Sequence, residues 1–452
     1  MRTAHDSPQN RLHATLGFFM QGLPVIFVRT ETVFAIDPYL SRYLKAAMGG
    51  GMPDFTEDAL LKGFEQFITS SHELRHFHDA LLSRPLFRLF MLQNSRFWRV
   101  LQLPGNISGL TAADLPLQNG KAIQADVTPF GLSLIGEVQE ADRLYNMERR
   151  RLYKTHTCKN DLTVSMVDLL EADAIAAELL YILVSHNAAS AEQYYRQVVC
   201  QLPIEYNKLV NVFVDHAGSF DQAIVSLHLA VAHSLYGSDD PASSFCKVIE
   251  DYLARPDGFV DRYGPQAIGE LFGGEPALEE WVMSHRVVGM DALAERPVQA
   301  PNELLEEMLG FHRNIYAARK LLIETYIKNF EMNAFDYYQR TDELPLPPIV
   351  FWPGEISEAG QGINVREDML QQFGLDMYMI RGGDWERGDL RVVAGIGPYG
   401  LRKPFLDYRL VDLHMLAYYW YRRLFTETDS EVYSPLVDEM YEALLRESFG
   451  LS

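Results

Sequence analysis

Apolar residues recur every three or four positions along most of this chain, and this spacing predicts a mainly helical fold. The first long helical pattern covers residues 56–82, and a second covers residues 86–101. Residues 163–186 are apolar on nearly every side, which predicts a buried helix. Further helices are expected at residues 220–236, 243–254 and 302–335.

Strand patterns are short and lie near the two ends of the chain. Residues 25–29 and 32–37 are β-branched and aromatic runs with a two-residue gap, which predicts a hairpin. Residues 343–362 hold four prolines and then three glycines, which indicates a boundary. A strand at residues 390–396 and two closing helices should follow.

These patterns predict a mainly α (α+β) fold with three regions. Residues 1–200 form a catalytic region with a small N-terminal β element. Residues 201–342 form an additional helical lobe, and residues 343–452 form a mixed α/β region.

Charge and cysteine content narrow the classes of partner and compartment. The chain has 40 Lys and Arg against 61 Asp and Glu, a formal net charge of −21. Such a surface repels nucleic acid and anionic membranes, so neither is expected as a partner. Three cysteines without a paired spacing predict a reducing compartment. The apolar stretch at residues 16–28 is interrupted by Gln21, Gly22 and Pro24, so we expect a soluble, cytoplasmic chain without a leader or membrane span.

One motif carries recognisable chemistry: the first long helix contains an H-E-x-x-H pattern from His72 to His76. Residues four apart share a helix face, so both imidazoles can bind one metal ion. Glu73 would lie beside them, where its carboxylate can take a proton from water held by the metal. Zn²⁺ fits, because a catalytic zinc site uses three protein ligands and keeps one position open. Manganese, iron and cobalt remain alternatives.

A third ligand should come from the apolar helix at residues 163–186. Four carboxylates share this helix, namely Asp168, Glu171, Asp173 and Glu178. Burying a carboxylate in such surroundings is costly unless it is paired or bound to a metal. Glu171 is the best candidate, because it is the most central in the apolar run.

These two segments together resemble the gluzincin metallopeptidases. Glu171, Ala174 and Glu178 match the E-x-x-A-x-x-x-E pattern of the aminopeptidase-type members. The resemblance implies a zincin-like core with His72, His76 and Glu171 as zinc ligands and Glu73 as the catalytic base. It covers two short helices and identifies the zincin group without a family within it. No G-x-M-E-N type motif precedes His72, and His76 and Glu171 are further apart than in compact members.

The function predicted from these residues is zinc-dependent hydrolysis of peptide bonds in a protein or peptide substrate. A protease of narrow specificity, such as a toxin or regulatory protease with one protein substrate, is compatible with the long remainder of the chain. The alternative is a non-catalytic helical interaction protein with a structural or vestigial metal site. Glu73 favours the enzyme, because a structural site has no need of it. The oligomeric state is left open.

The residues around the motif carry weaker expectations. We expect Arg75 to pair with a carboxylate on its own helix, and His78 to lie at the surface or behind the ligands. Asp79 is expected either to hold a ligand imidazole or to be a surface carboxylate. Candidates for stabilising the transition-state oxyanion follow Glu171 in the chain: Tyr181, His186, Tyr194 and Tyr195.

Overall fold

The computed structural model describes most of the first two predicted regions and parts of the third. The described residues are 17–19, 26–29, 58–103, 106–109, 116–117, 123–284, 302–328, 349–352, 391–393, 396–397, 400–401, 421 and 424–425. Helix dominates this part of the chain, so the prediction of a mainly helical fold is confirmed.

The described helices follow one another along the chain. In chain order they are α1 Asp58–Leu82, α2 Arg84–Leu101, α3 Pro129–Leu152, α4 Met166–Ser185, α5 Ala188–Gln197, α6 Ile204–His216, α7 Phe220–Gly237, α8 Pro241–Ala254, α9 Phe259–Tyr263, α10 Pro265–Ile268, α11 Glu275–Ser284 and α12 Asn302–Lys328. The helical patterns at residues 56–82, 86–101, 163–186, 220–236 and 243–254 therefore correspond to real helices. The last part of the pattern at residues 302–335 lies outside the described residues.

The strands are short. They are β1 Gly17–Phe19, β2 Ile26–Arg29, β3 Ile107–Ser108, β4 Asp126–Val127, β5 His156–Thr157, β6 Thr163–Val164, β7 Ile349–Trp352, β8 Arg391–Val393, β9 Ile396–Gly397 and β10 Gly400–Leu401. A four-stranded sheet has the order β1-β2-β7-β8, and the remaining strands form two-stranded pairs.

The predicted N-terminal hairpin is wrong in its pairing. Strand β2 pairs antiparallel with β1 on one edge and parallel with β7 on the other, so no edge is left for residues 32–37. Residues 32–37 themselves lie outside the described residues. The sheet thus joins strands from both ends of the chain. A strand's apolar pattern shows that it is buried, but does not select its neighbours.

Helix α4 lies at the centre of the fold. Its N-terminus carries a capping box, in which the Ser165 hydroxyl accepts from the Asp168 amide and the Asp168 carboxylate accepts from the Ser165 amide. The helix packs against α1, α6 and α7. These neighbours cover it on several sides, which agrees with the burial that its all-round apolar sequence predicts. Among the described residues, no helix is long and apolar enough to cross a membrane.

Helix α2 is buried from Pro85 to Leu101 although it carries several arginines. Its charges are matched by carboxylates of α3: Arg96 Nη1 lies 2.7 Å from Asp142, and Arg99 Nε lies 2.8 Å from Glu137. Buried charges are tolerated when they are paired in this way.

A disulfide joins Cys158, after strand β5, to Cys246 on α8. The two residues are 88 positions apart in the chain, and the cysteine spacing did not predict this bond. Cys200 is a free, exposed thiol. The bond attaches the β5–β6 connection, which precedes α4 in the chain, to α8.

Candidate metal centre

The H-E-x-x-H motif lies in the second half of α1, on the side that faces α4. The neighbouring apolar residues Phe67, Leu74 and Phe77 are buried and anchor this part of the helix in the core. His72 and His76 are one helical turn apart, and their ring centroids are 4.8 Å apart with nearly perpendicular planes. The predicted helix therefore presents both imidazoles on one face.

Glu171 of α4 meets both imidazoles. One carboxylate oxygen, Oε2, lies 3.1 Å from His72 Nε2 and 3.6 Å from His76 Nε2. The three side chains are 10 %, 13 % and 17 % exposed, in the order His72, His76, Glu171, so the cluster is largely enclosed but reachable from solvent. The structure thus brings together the three residues that the sequence singled out as ligands, across about a hundred positions of chain.

A second carboxylate of α4 holds His72 from behind. Glu178 Oε1 lies 2.7 Å from His72 Nδ1, and the Tyr194 hydroxyl donates to Glu178 Oε2 at 3.0 Å. A carboxylate on one ring nitrogen sets the tautomer and orientation of a metal-binding histidine, and leaves the other nitrogen for the metal. From the sequence alone, Glu178 is only one of four carboxylates that could partner the metal. Its position seven residues, about two helical turns, after Glu171 is the signal that could have placed it beside the same site.

The groups in the cluster shift the pKa values of His72 and Glu171 in opposite directions. Burial opposes protonation of His72, but the carboxylates of Glu171 and Glu178 outweigh it and hold the pKa of His72 well above its ordinary value. Burial would likewise raise the pKa of Glu171, but the imidazoles of His76 and His72 hold it well below its usual range. The two shifts have the same cause, because each favours the charged form of one partner beside the opposite charge of the other.

The donor set fits zinc. Two imidazole nitrogens and one carboxylate oxygen lie within 4.8 Å of one another. Tetrahedral zinc with bonds of about 2.1 Å separates its ligand atoms by about 3.4 Å, and the two nitrogen–oxygen distances, 3.1 and 3.6 Å, lie on either side of that value. Within the described residues, His76 Nδ1 is buried without a hydrogen-bond partner, in contrast to His72 Nδ1.

Glu73, the predicted catalytic base, is buried on α1 next to His72, with 6 % of the residue exposed. Its burial places it in a part of α1 that is shielded from bulk water.

Arg75 was expected to pair with a carboxylate on its own helix, but its main partner lies on α4. Its Nε donates to Asp173 Oδ2 on α4 at 2.5 Å, whereas Asp79 Oδ1 on α1 is 3.7 Å away. Its Nη2 donates to the Tyr236 hydroxyl on α7, at 2.9 Å. Arg75, which lies between the two candidate ligand histidines, therefore connects three helices.

A surface position was one of the two alternatives for Asp79 and for His78. That alternative is wrong for both, because both residues are fully buried. Asp79 accepts from the Tyr236 hydroxyl at 2.6 Å. Burial, and then the neighbouring Asp173 carboxylate, hold the pKa of Asp79 well above its usual range. His228 of α7 is also a core residue, with its Nδ1 3.4 Å from Asp173 and its Nε2 3.2 Å from the Tyr326 hydroxyl.

The tyrosines offered as oxyanion candidates make different contacts in the fold. Tyr181 is buried against Phe67, and the Tyr195 hydroxyl donates to Asn211. Tyr194 donates to Glu178, as described above. The aromatic residue that sequence reasoning missed is Tyr206 of α6, whose ring centroid is 6.0 Å from that of His72. No local pattern marks Tyr206, because only the packing of α6 on α4 brings it to the site.

No protein-family model, curated protein or solved structure matches this chain.

Proposed function

We propose that this protein is a zinc-dependent metallopeptidase with a zincin-like core, in which His72, His76 and Glu171 hold the metal. The observation that carries the proposal is the meeting of these three donors in a largely enclosed cluster, with Glu178 hydrogen-bonded to the rear nitrogen of His72. The number and type of donors match a catalytic zinc site with one open position.

In this proposal Glu73 and Glu178 have separate roles in the reaction. Zinc, when bound, supplies a Lewis acid that polarises the scissile carbonyl and makes water a better nucleophile. Glu73 takes a proton from the attacking water as the carbon–oxygen bond forms, and passes it to the leaving amine as the carbon–nitrogen bond breaks. Glu178 keeps the Nδ1–H of His72 occupied, so that Nε2 stays directed at the metal position.

The alternative is a structural metal site in a non-catalytic interaction protein. Structural zinc sites are closed by four protein ligands as a rule. Within the described residues, the only group with suitable spacing contains three. This favours the catalytic interpretation.

Elemental mass spectrometry of the purified protein tests the metal site first. We expect about one zinc per wild-type chain, and its loss in His72→Ala and Glu171→Ala. Absence of metal from the wild type, purified without chelators, would reject the proposal.

Activity is then tested on a mixture of quenched fluorescent peptides. Glu73→Gln should keep its zinc and lose about 10²–10⁴-fold in rate, the usual contribution of a positioned acid–base group. Bound zinc without any cleavage that depends on Glu73 would favour the structural site.

A further inference from the structure

We infer that Tyr194 is a positioning residue for this metal centre: its hydroxyl holds Glu178 in the orientation in which that carboxylate fixes the ring of His72. The inference rests on the proposed function and adds to it a residue that touches neither metal nor substrate.

Glu178 is held at two points. Its Oε1 lies 2.7 Å from His72 Nδ1, and its Oε2 accepts from the Tyr194 hydroxyl at 3.0 Å. The residue is only 4 % exposed, so water does not readily replace either donor. A buried carboxylate oxygen that loses its donor carries a desolvation penalty, which favours its rotation toward another donor. Such a rotation would also disturb the contact of Oε1 with His72.

The tyrosine is itself fixed relative to the motif helix. The Tyr194 ring meets Phe64 edge to face, with centroids 6.0 Å apart and planes at 88°. Phe64 lies on α1, eight positions before His72. Three contacts therefore link α1, α5 and α4 in a ring. Phe64 of α1 packs on Tyr194 of α5, Tyr194 donates to Glu178 of α4, and Glu178 contacts His72 of α1.

The same contact argues against a catalytic role for Tyr194. A phenol has one O–H to donate, and the Tyr194 hydroxyl donates to Glu178. It would have to give up this bond in order to stabilise a developing oxyanion. Its effect on catalysis should therefore come through the metal ligand His72.

The neighbouring Tyr195 offers a matched control. Both tyrosines lie on α5 and each donates to one side chain, but the acceptor of Tyr195 is Asn211 of α6. Replacing either tyrosine by phenylalanine removes one hydroxyl and keeps the ring. Only the change at residue 194 should reach the metal.

The experiment titrates metal-free wild type, Tyr194→Phe and Tyr195→Phe with Zn²⁺ against a chromophoric chelator, and with Co²⁺ by visible absorption. Loss of a group that contacts a metal ligand typically lowers metal affinity about 10–100-fold. Because Tyr194 acts one contact further out, we expect a loss of about three- to tenfold, with a changed Co²⁺ spectrum. Tyr195→Phe should stay within twofold of wild type and keep the wild-type spectrum.

A second comparison tests whether the hydroxyl acts through Glu178. In a Glu178→Ala background, Tyr194→Phe should have no further effect on Zn²⁺ affinity, because the carboxylate that transmits it is absent. Urea unfolding of each metal-free variant shows whether a change in affinity merely follows a change in stability.

The outcomes separate the inference from the proposed function. A wild type that binds neither Zn²⁺ nor Co²⁺ overturns both. Metal binding by the wild type with unchanged affinity in Tyr194→Phe overturns the inference alone. Equal losses in the two tyrosine variants, or an undiminished effect without Glu178, would likewise overturn it.

Discussion

Arg75 Nε donates to Asp173 Oδ2 across the α1–α4 contact at 2.5 Å, and both side chains are almost completely shielded, at 1 % and 0 % exposure. The same two helices carry the three candidate ligands. Asp173 is two positions from Glu171, and residues two apart on a helix point about 200° away from each other. The ion pair therefore joins α1 and α4 independently of the metal cluster.

The first prediction compares two fully buried aspartates beside Arg75. Replacing Asp173 by Asn leaves the guanidinium charge without its main partner, and breaking a buried ion pair in this way costs about 3–5 kcal/mol. Asp79→Asn should cost less, about 1 kcal/mol, because the raised pKa of Asp79 favours its neutral form, for which an amide is a close substitute. Urea unfolding of the two metal-free variants measures both values. Similar losses would contradict this assignment of charge.

The second prediction concerns removal of the metal. The Arg75–Asp173 ion pair and the apolar core around α4 include none of the proposed ligands, so dialysis against a chelator should leave the far-ultraviolet circular dichroism nearly unchanged. Adding zinc back should raise the unfolding temperature, since a ligand at 100 times its dissociation constant stabilises the native state by about 2.7 kcal/mol. His76→Ala is the control and should show no such rise. Unfolding of the metal-free protein would instead place the site among structural metal centres.

The third prediction is a pH window for the stability of the metal-free protein. The pKa of His72 is raised above its ordinary value of 6.5, so its contribution is complete below that pH and is lost as the pH rises through the raised pKa. The pKa of Glu171 is lowered from 4.5, so its contribution is complete above that pH and is lost as the pH falls through the lowered pKa. Both contributions are therefore present together between about pH 4.5 and 6.5.

Denaturant unfolding from below pH 4.5 up to pH 9 measures the effect, with His72→Gln as the control that should remove the loss on the alkaline side. Metal binding should show the opposite trend, because zinc competes with the proton on His72. Zinc affinity should accordingly fall as the pH is lowered. A metal-free stability that rises steadily from pH 6.5 to 9 would contradict the prediction for His72.

The fourth prediction concerns the Cys158–Cys246 bond. In the chain-entropy description, closing a loop of 88 residues stabilises the folded state by roughly 4.6 kcal/mol. A reductant should lower the free energy of unfolding by about 2–4 kcal/mol in wild type and in Cys200→Ser alike, and should have no effect on Cys246→Ser. Mass spectrometry of alkylated protein, without prior reduction, shows whether the bond forms. Three alkylated thiols per native chain would contradict it.

Sequence reasoning found the candidate ligands because local rules govern them. The spacing of His72 and His76 places both on one helix face, and a carboxylate in an apolar helix needs a partner. It did not find the hydrogen bond from Tyr194 to Glu178, the burial of Asp79 or the position of Tyr206. These depend on which helices pack together, and helix periodicity does not specify the partner of a buried face.

The amino-acid sequence by itself determined the mainly helical class, the positions of the helices that carry the motif, and the three residues offered as metal ligands. Tertiary structure alone decided the pairing of β2 with β7, the disulfide, and the assignment of the α4 carboxylates: Glu171 to both histidines, Asp173 to Arg75 and Glu178 to His72. The reason is physical. Helix formation depends on neighbours within a few positions, whereas the role of a buried carboxylate depends on the charge that another helix brings to it.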